Sequence, residues 1–258
     1  MANVKLLYLI NYLLSERSDM ENVKIPNDEA EQFRLYRSLV NIRPAVQADK
    51  EFLRVEDEFL TELTESKGIT DIADLQPVEN GIYLWKGDIT TLKCGAIVNA
   101  ANSGMTGCWQ PCHSCIDNCI HTFAGVRLRY KCTQLMKAQG HEEPIGNAKI
   151  TPSYNLPCDY IIHTVGPIVQ GTLTDRHCQF LQSCYHSCLE LAVQNEIKSI
   201  AFCCISTGEF HFPNQRAAEI AVETVRAYRR ETQSRIEVIF NVFQETDLNT
   251  YRKLLGAN

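Results

Sequence analysis

The segment 107–121, GCWQPCHSCIDNCIH, concentrates metal-binding residue types in a short stretch of chain. Its cysteines and histidines are Cys108, Cys112, Cys115, Cys119, His113 and His121. Thiolates and imidazoles are the ligands that zinc prefers in proteins. Three interpretations compete: a disulfide knot, a zinc site, or a helix whose cysteines act as small apolar side chains.

The surrounding sequence argues against disulfides. Residues 1–20 contain an apolar run, but its leucines have helical spacing and acidic residues follow, which favours an amphipathic helix over a signal peptide. No stretch approaches the roughly 20 apolar residues of a membrane span. We therefore expect a cytoplasmic protein with no membrane partner, whose twelve cysteines are mostly thiols.

The spacing of the segment favours a loop that wraps one ion and then enters a helix. Pro111 prevents a single regular helix across the whole segment. Cys108-x4-His113-x-Cys115 offers three ligands and leaves a fourth coordination position open, as in catalytic zinc sites. A closed structural site would need a fourth protein ligand, which another cysteine of the segment could supply.

Cys112 and Cys119 are the candidates for that fourth ligand. Cys119, however, shares a predicted helix face with Ile116 and Phe123, so we expect it in the core. A second Cys/His-rich stretch, 177–188, lies within a strong helical pattern and is also expected to be buried.

Strands and helices alternate through the region that must position this segment. Apolar runs predict strands over 83–87, 96–98, 148–153, 160–162, 200–204 and 236–240. Helical patterns follow at 116–137, 175–195, 214–230 and 245–255. This alternation predicts an α/β fold, with a largely parallel sheet covered by helices on both faces.

Composition changes near residues 75–80. The first eighty residues are strongly acidic, contain no cysteine, and read as three helices over 6–16, 28–40 and 49–66. We predict a helical N-terminal extension over 1–75 and a main domain over 76–258. The net charge of −6 provides no basic footprint for non-specific nucleic-acid binding.

Glycine-containing or amide-bearing segments follow several predicted strands. They are NAANSG (99–104), HTVGP (163–167) and ISTGEFHFP (205–213). The carboxyl ends of parallel strands meet at one edge of the sheet, where ligands bind. Loops that feed helices there offer backbone N–H groups to phosphate.

Taken together, these motifs resemble the macrodomain family, which binds ADP-ribose and many of whose members hydrolyse it from modified proteins. The matched pieces are GDIT (87–90), IVNAAN (97–102), IHTVGP (162–167) and ISTG (205–208), in the family's order. The resemblance covers about residues 76–258. It implies a three-layer α/β/α fold with a mixed, largely parallel central sheet.

Two departures from the family pattern are informative. The glycine-rich loop that usually follows NAAN is replaced by PCHSCIDNCIH (111–121), and EFHF (209–212) stands where Ile-Tyr-Gly-Tyr is commoner. The first departure resembles a zinc-containing microbial subgroup, often linked to sirtuin-like ADP-ribosyl transferases. The N-terminal extension fits that subgroup too. The resemblance to the subgroup implies that Cys108, His113 and Cys115 are the ligands of one Zn²⁺ ion.

The resemblance also implies two catalytic residues. Asn102 would orient the distal ribose or the attacking water. Asp117 matches the catalytic acid position and would polarise a water or a ribose hydroxyl. Orientation of a zinc ligand is the competing role for Asp117.

The implied substrate-binding residues are Asp88, Ile89, Asn99, Asn102, Ser206, Thr207, Gly208, Glu209 and Phe210. Asp88 would accept a hydrogen bond from the adenine amino group, and the Ile89 backbone would donate one. The 206–208 loop would cradle the diphosphate, Phe210 would cover the distal ribose, and Asn99 would hold a sugar hydroxyl. Turn formation by the asparagines and helix capping by Asp88 remain alternatives.

These expectations define a zinc-dependent hydrolase that removes mono-ADP-ribose from modified protein, with an Asp or Glu ester as the favoured linkage. The metal would activate a water or bind a ribose hydroxyl. A non-catalytic ADP-ribose reader and a zinc- or thiol-based redox sensor are the alternative classes. The motifs G-x-S-x-G and HExxH do not occur.

Overall fold

The apolar runs of the sequence form a six-stranded central sheet. The computed structural model describes residues 4–20 and 22–256, so the predicted outer domain boundaries at residues 1 and 258 lie outside the described residues. In chain order the strands are β1 (Thr70–Asp71), β2 (Ile82–Lys86), β3 (Leu92–Lys93), β4 (Ala96–Ala101), β5 (Ala148–Pro152), β6 (Tyr160–Val165), β7 (Ser199–Phe202) and β8 (Glu237–Val242).

The sheet is mixed and largely parallel, as predicted. Its strand order is β2-β8-β7-β4-β6-β5, and β5 alone among these six runs antiparallel to its neighbour. β1 and β3 form a separate two-stranded pair. In the main sheet Val98 lies beside Ile162 and Phe202 beside Phe240, all buried. Near-continuous apolar strands of this kind are covered on both faces.

Helices cover the sheet and complete a three-layer α/β/α architecture. They are α1 (Val4–Ser15), α2 (Glu29–Ile42), α3 (Lys50–Lys67), α4 (Ile116–Ala124), α5 (Val126–Gln139), α6 (Asp175–Gln194), α7 (Asn214–Thr232) and α8 (Glu245–Leu255). α6 packs against β5 and β6 with α7 beside it, while α4 packs against β4 and contacts α2 and α3. Within the described residues, no helix combines the length and apolar character needed to cross a bilayer.

The three N-terminal helices pack around an apolar cluster of their own, which includes Tyr36, Phe52 and Phe59. Asp28 and Asp49 cap α2 and α3 by accepting hydrogen bonds from backbone N–H groups in the first turn. Each fully buried large apolar side chain stabilises the fold by about 1.5–3 kcal/mol. The division of the chain at residue 75 stays a prediction.

The predicted helix 116–137 is wrong as a single element, because the chain breaks at Gly125 into α4 and α5. Gly125 has a φ of 90°, and a Cβ there would lie 2.7 Å from Glu56 Oε2. Glycine avoids that clash and tolerates the positive φ. By contrast, the expected burial of the 177–188 stretch is confirmed for Cys184 and Cys188, which are fully buried in α6.

The break at Gly125 also joins the N-terminal helices to the main domain through Glu56. This fully buried carboxyl accepts hydrogen bonds from Tyr36 Oη at 2.8 Å and from Val126 N at 3.0 Å. Burial raises the pKa of Glu56 from 4.5 to about 7, although both hydrogen bonds oppose the shift. Folding therefore favours the protonated carboxyl.

We expect the stabilisation from protonated Glu56 to be fully present below about pH 4.5 and to be lost as the pH rises through about 7. At 1.36 kcal/mol per pKa unit the full effect is about 3 kcal/mol. Glu56→Gln removes this titration, so denaturant unfolding should show the variant gaining stability relative to wild type between pH 5 and pH 8.

The control is Glu58→Gln on the same helix. Glu58 is half-buried and its pKa is lowered by its bond to Lys5, so this carboxyl is mostly ionised in both the folded and the unfolded state above pH 5. A Glu56→Gln stability difference that stays constant over this pH range would contradict the prediction.

Candidate active site

An open cleft of about 690 Å³ lies at the edge of the sheet where the parallel strands end. Segments that follow β2, β4, β7 and β8 line it, together with the start of α4. The predicted site residues that line it are Asp88, Ile89, Asn102, Cys108, His113, Cys115, Asp117, Ser206, Thr207, Gly208, Glu209 and Phe210. The topology therefore brings residues from distant parts of the chain to one place.

Cys108, His113 and Cys115 form a metal-donor cluster. One donor atom from each lies within 4.8 Å of the others, and Cys108 Sγ is 3.6 Å from His113 Nδ1. Tetrahedral zinc with ordinary Zn–S and Zn–N bonds holds two such ligands about 3.6 Å apart. Cys115 is the N-cap of α4, so the helix start fixes its direction. The residues present therefore fit a zinc ion.

The protonation of the cluster also bears on metal binding. Burial, with a smaller effect of the neighbouring Cys108 and Asp117 charges, raises the pKa of the Cys115 thiol to about 12. A divalent cation has to displace that proton to bind, which couples metal affinity to proton release.

The other two cysteines of the segment lie outside the donor cluster. Cys112 Sγ donates to the Arg34 carbonyl at 3.3 Å. Cys119 is half-buried, lines the cleft and lies 3.5 Å from Arg37 Nη2. The expectation that Cys119 faces the core is wrong, because Ile120 on the next position takes the core-facing side of α4. Among the described residues the cluster has three ligands.

A second group of donors, His121, Cys132 and His163, is fully enclosed below the cleft. His163 is hydrogen-bonded on both ring nitrogens, to Asn99 Nδ2 at 3.0 Å and to Thr151 Oγ1 at 2.9 Å. Burial lowers the pKa of His163 to about 3 and raises that of Cys132 to about 12. His163 is therefore a hydrogen-bonded polar part of the core, whereas neither ring nitrogen of the buried His121 has a hydrogen-bond partner among the described residues.

Asp117 is buried at the cleft wall and held by two amides. Its Oδ1 accepts from Asn99 Nδ2 at 2.8 Å, and its Oδ2 is 3.4 Å from Asn102 Nδ2. Burial raises the pKa of Asp117 to about 6, while the Asn99 hydrogen bond and the Arg129 charge oppose the shift. The direction of the Asp117 carboxyl is thus fixed at the point where the loop 106–115, called here the donor loop because it carries the three metal donors, meets α4.

Asn99 does not touch the cleft, which corrects its predicted contact with a sugar hydroxyl. The side chain is fully buried, and its amide N–H groups face Asp117 and His163. An amide nitrogen has two hydrogens, so both are used within the protein. Asn99 therefore holds the Asp117 carboxylate instead of the ligand.

Asp88, which also lines the cleft, has a different partner for each of its carboxylate oxygens. One carboxylate oxygen accepts hydrogen bonds from the backbone N–H and the hydroxyl of Thr90. Asp88 therefore caps the short helix that follows it, as the alternative interpretation predicted. The other oxygen lies 3.2 Å from Lys67 Nζ. Phe243, whose ring is 70% exposed, lines the same cleft. A flat exposed ring of this kind can stack on a base.

The 206–210 loop forms another part of the cleft wall. Ser206 has a φ of 65°, and a Cβ at the tip residue Gly208 would meet no atom within 4 Å. The tip is therefore open. Glu209 Oε1 lies 3.5 Å from His113 Nε2, on the ring edge away from Cys108. A carboxylate on the second nitrogen of a ligating histidine fixes the ring and its tautomer.

Sequence reasoning missed the side chains that support the site from elsewhere in the fold. Arg129 packs its guanidinium 4.2 Å above the ring of Trp109 at the cleft mouth. Arg37 and Asn41 of α2 bond the donor loop. None belongs to a local motif, so no signal in the chain marked these contacts before the fold was known.

A mixed sheet with phosphate-type loops and amides at one edge is typical of α/β proteins that bind nucleotides. The profile of the Macro domain matches residues 98–221. The chain is 60% identical over 254 residues to a Treponema medium protein named protein-ADP-ribose hydrolase, with 97% of each covered. It is 49% identical to a protein of the same name from Staphylococcus aureus (strain MSSA476), covering 98% of this chain and 96% of that protein. The chain belongs to the macrodomain family.

A solved structure supports the same family. The Trypanosoma brucei macrodomain in complex with ADP-ribose superposes with a TM-score of 0.67 at 28% identity, and the match covers 85% of this chain and 95% of that chain. The predicted macrodomain resemblance is thereby confirmed.

The donor cluster predicts one tightly bound zinc ion per chain. We expect Cys115→Ser to weaken zinc affinity by at least about 100-fold, because a hydroxyl replaces a thiolate ligand. Elemental analysis and competition with a chromophoric chelator measure content and affinity.

Cys112→Ser is the matched control, since it changes a thiol of the same loop that lies outside the cluster. Equal zinc affinities for the Cys115 and Cys112 variants would rule out the assigned ligand set.

Proposed function

We propose that the chain is a zinc-dependent hydrolase that removes mono-ADP-ribose from modified protein side chains. The observation that carries this proposal is the meeting of the donor cluster, Asp117 and the 206–210 loop in one cleft. Relatives named protein-ADP-ribose hydrolase, similar along nearly the whole chain at 60% and 49% identity, support the activity.

The donor set supports membership of the zinc-containing subgroup. Cys108, His113 and Cys115 would hold the ion, with Glu209 on the outer nitrogen of His113. When bound, zinc would supply a Lewis acid that polarises a ribose hydroxyl or a water. Three protein ligands leave one coordination position for that oxygen.

The rest of the cleft suggests how ADP-ribose binds. Adenine would lie at the Asp88 and Phe243 end, and the diphosphate would lie over the open tip of the 206–210 loop. The distal ribose then reaches Asn102, Asp117 and the donor cluster. Asp117, held by the buried amide of Asn99, would accept a proton from the attacking water or a ribose hydroxyl.

The favoured bond is the glycosidic bond to an Asp or Glu carboxylate. In that reaction the water oxygen bonds to the anomeric carbon of the distal ribose, and the C–O bond to the side chain breaks. The carboxylate leaves with the electron pair, and the second water proton passes to the general base. The products are free ADP-ribose and an unmodified side chain.

The test is turnover of a protein mono-ADP-ribosylated on acidic residues, carried out in ¹⁸O-labelled water. We expect release of ADP-ribose that carries the label, loss of activity on complete zinc removal or in Cys115→Ala, and recovery of wild type when zinc returns. Mass spectrometry of both products locates the label.

Three other outcomes would each contradict a different part of the proposal. Unchanged turnover without zinc would exclude the zinc mechanism, and label in the protein carboxylate would show acyl cleavage. Tight ADP-ribose binding without turnover on any linkage would make the chain a reader module.

Asp117→Asn should lower kcat by at least about 100-fold, the usual effect of a positioned general base. The Kd for ADP-ribose should change by no more than about threefold, since the interaction lost belongs to the transition state. Steady-state turnover assays measure kcat, and calorimetric titration measures the Kd for ADP-ribose.

Asp159→Asn is the control, because Asp159 is exposed and lies at the amino end of β6, away from the cleft. If Asp117→Asn weakens ADP-ribose binding as much as it lowers kcat, then Asp117 serves binding and is not the base.

Two expectations stay predictions. A sirtuin-like ADP-ribosyl transferase is the predicted source of the modified protein, and the cytoplasm is the predicted location.

A further inference from the structure

Helix α2 contacts the donor loop directly, although the two are more than seventy residues apart in the chain. Arg37 Nη2 donates to the His113 carbonyl at 2.6 Å and to Asn118 Oδ1 at 2.9 Å, and its Nε donates to Asn118 Oδ1 at 3.2 Å. Asn118 in turn donates to the Gln110 carbonyl at 2.9 Å. One guanidinium therefore holds both the loop and the first turn of α4.

Asn41 supplies a second point of attachment on the same helix. Its Oδ1 accepts from the Cys112 backbone N–H at 2.9 Å, and its Nδ2 donates to Thr122 Oγ1 at 3.0 Å. Cys112 has a φ of 54°. A residue with a side chain keeps that left-handed conformation only when surrounding contacts hold it. The bond from the Cys112 N–H to Asn41 is one such contact.

Arg129 of α5 bonds both the donor loop and the end of α2. Its Nε donates to the Thr106 carbonyl at 2.8 Å, Nη2 to the Cys108 carbonyl at 3.0 Å, and Nη1 to the Val40 carbonyl at the end of α2 at 3.1 Å. The start of the loop is thus tied to the last turn of α2 through a buried cation. Carbonyl groups at a helix C-terminus favour a positive charge.

We propose that α2 of the N-terminal helices is a positioning element of the active site, with Arg37 as its principal positioning residue. It holds loop 106–115 in the conformation that brings Cys108, His113 and Cys115 together. The importance of the loop for turnover rests on the proposed function, but the loop's dependence on α2 does not.

A simple packing role is the competing explanation. Phe33 of α2 stacks on Phe123 of α4 at 6.2 Å between ring centroids, so the helix also covers apolar surface. Loss of packing lowers the stability of the whole protein. Loss of positioning instead loosens the loop and the metal donors while the rest of the protein keeps its protection.

The variants are Arg37→Gln and Arg37→Lys, and the control is Arg34→Gln, an exposed arginine one turn earlier on α2. Lysine retains the charge and one bond to the loop but loses the planar fork. We therefore expect every effect to follow the order Gln, then Lys, then the control, which should match wild type.

The first readout is amide hydrogen exchange at Cys112 and His113 in metal-free full-length protein. We expect Arg37→Gln to accelerate exchange at these amides by about tenfold or more, because charge-assisted hydrogen bonds are lost. Exchange in β4 and β6 should not change. The second readout is zinc affinity, which should fall by about 10–100-fold, as on loss of a supporting contact around a metal site.

The two readouts separate this inference from the proposed function. Unchanged loop exchange and unchanged zinc affinity in both Arg37 variants would overturn the positioning role, even if wild type is an active hydrolase. If wild type binds no zinc or has no turnover, the proposed function fails, and loop exchange still decides the role of α2. Equal acceleration throughout the protein would show packing only.

Discussion

The parallel pairing of β2, β8, β7, β4 and β6 is the constraint on which the site depends. Because these strands run in one direction, their carboxyl ends meet at one edge, and the loops that follow them meet there too. Asp88, Asn102 and the 206–210 loop thus come together without any long excursion of the chain. The short antiparallel β5 ends the sheet on the far side of β6 and adds no loop to the cleft.

A buried polar network then fixes the direction of the acid at that edge. An unpaired carboxylate away from water is costly, and Asp117 is 5% exposed. Asn99, on strand β4, offsets this cost by donating a hydrogen bond to the Asp117 carboxylate. His163, which is bonded in turn to Thr151, fixes the Asn99 amide. The register of β4 beside β6 sets Asn99 opposite His163, so the sheet itself fixes the direction of the Asp117 carboxyl.

The sequence was a good guide to elements and a poorer guide to contacts. Strand and helix periods depend on neighbouring residues, so the six strands of the main sheet, the helices and the loop over 108–115 could be predicted. The two-residue strands β1 and β3 are too short to show such a period and were missed. The break at Gly125 was also missed, and the close approach of Glu56 that leaves no room for a side chain there comes from a residue far away in the chain. Asn99 and Cys119 were misplaced for a related reason: a motif names residue types, but packing decides which side chain faces the cleft.

Charge balance explains how a metal-donor cluster can share a half-buried cleft with a carboxylate. Arg129 is 5% exposed, and its charge favours ionised Asp117 without a direct bond between them. A Zn²⁺ ion that displaced one proton from each of the two thiols would leave the net charge of the cluster unchanged, because two protons carry the same charge as the ion. An ion held in this way would place no uncompensated charge in a low-dielectric region, and it would preserve the balance between Arg129 and Asp117 beside it.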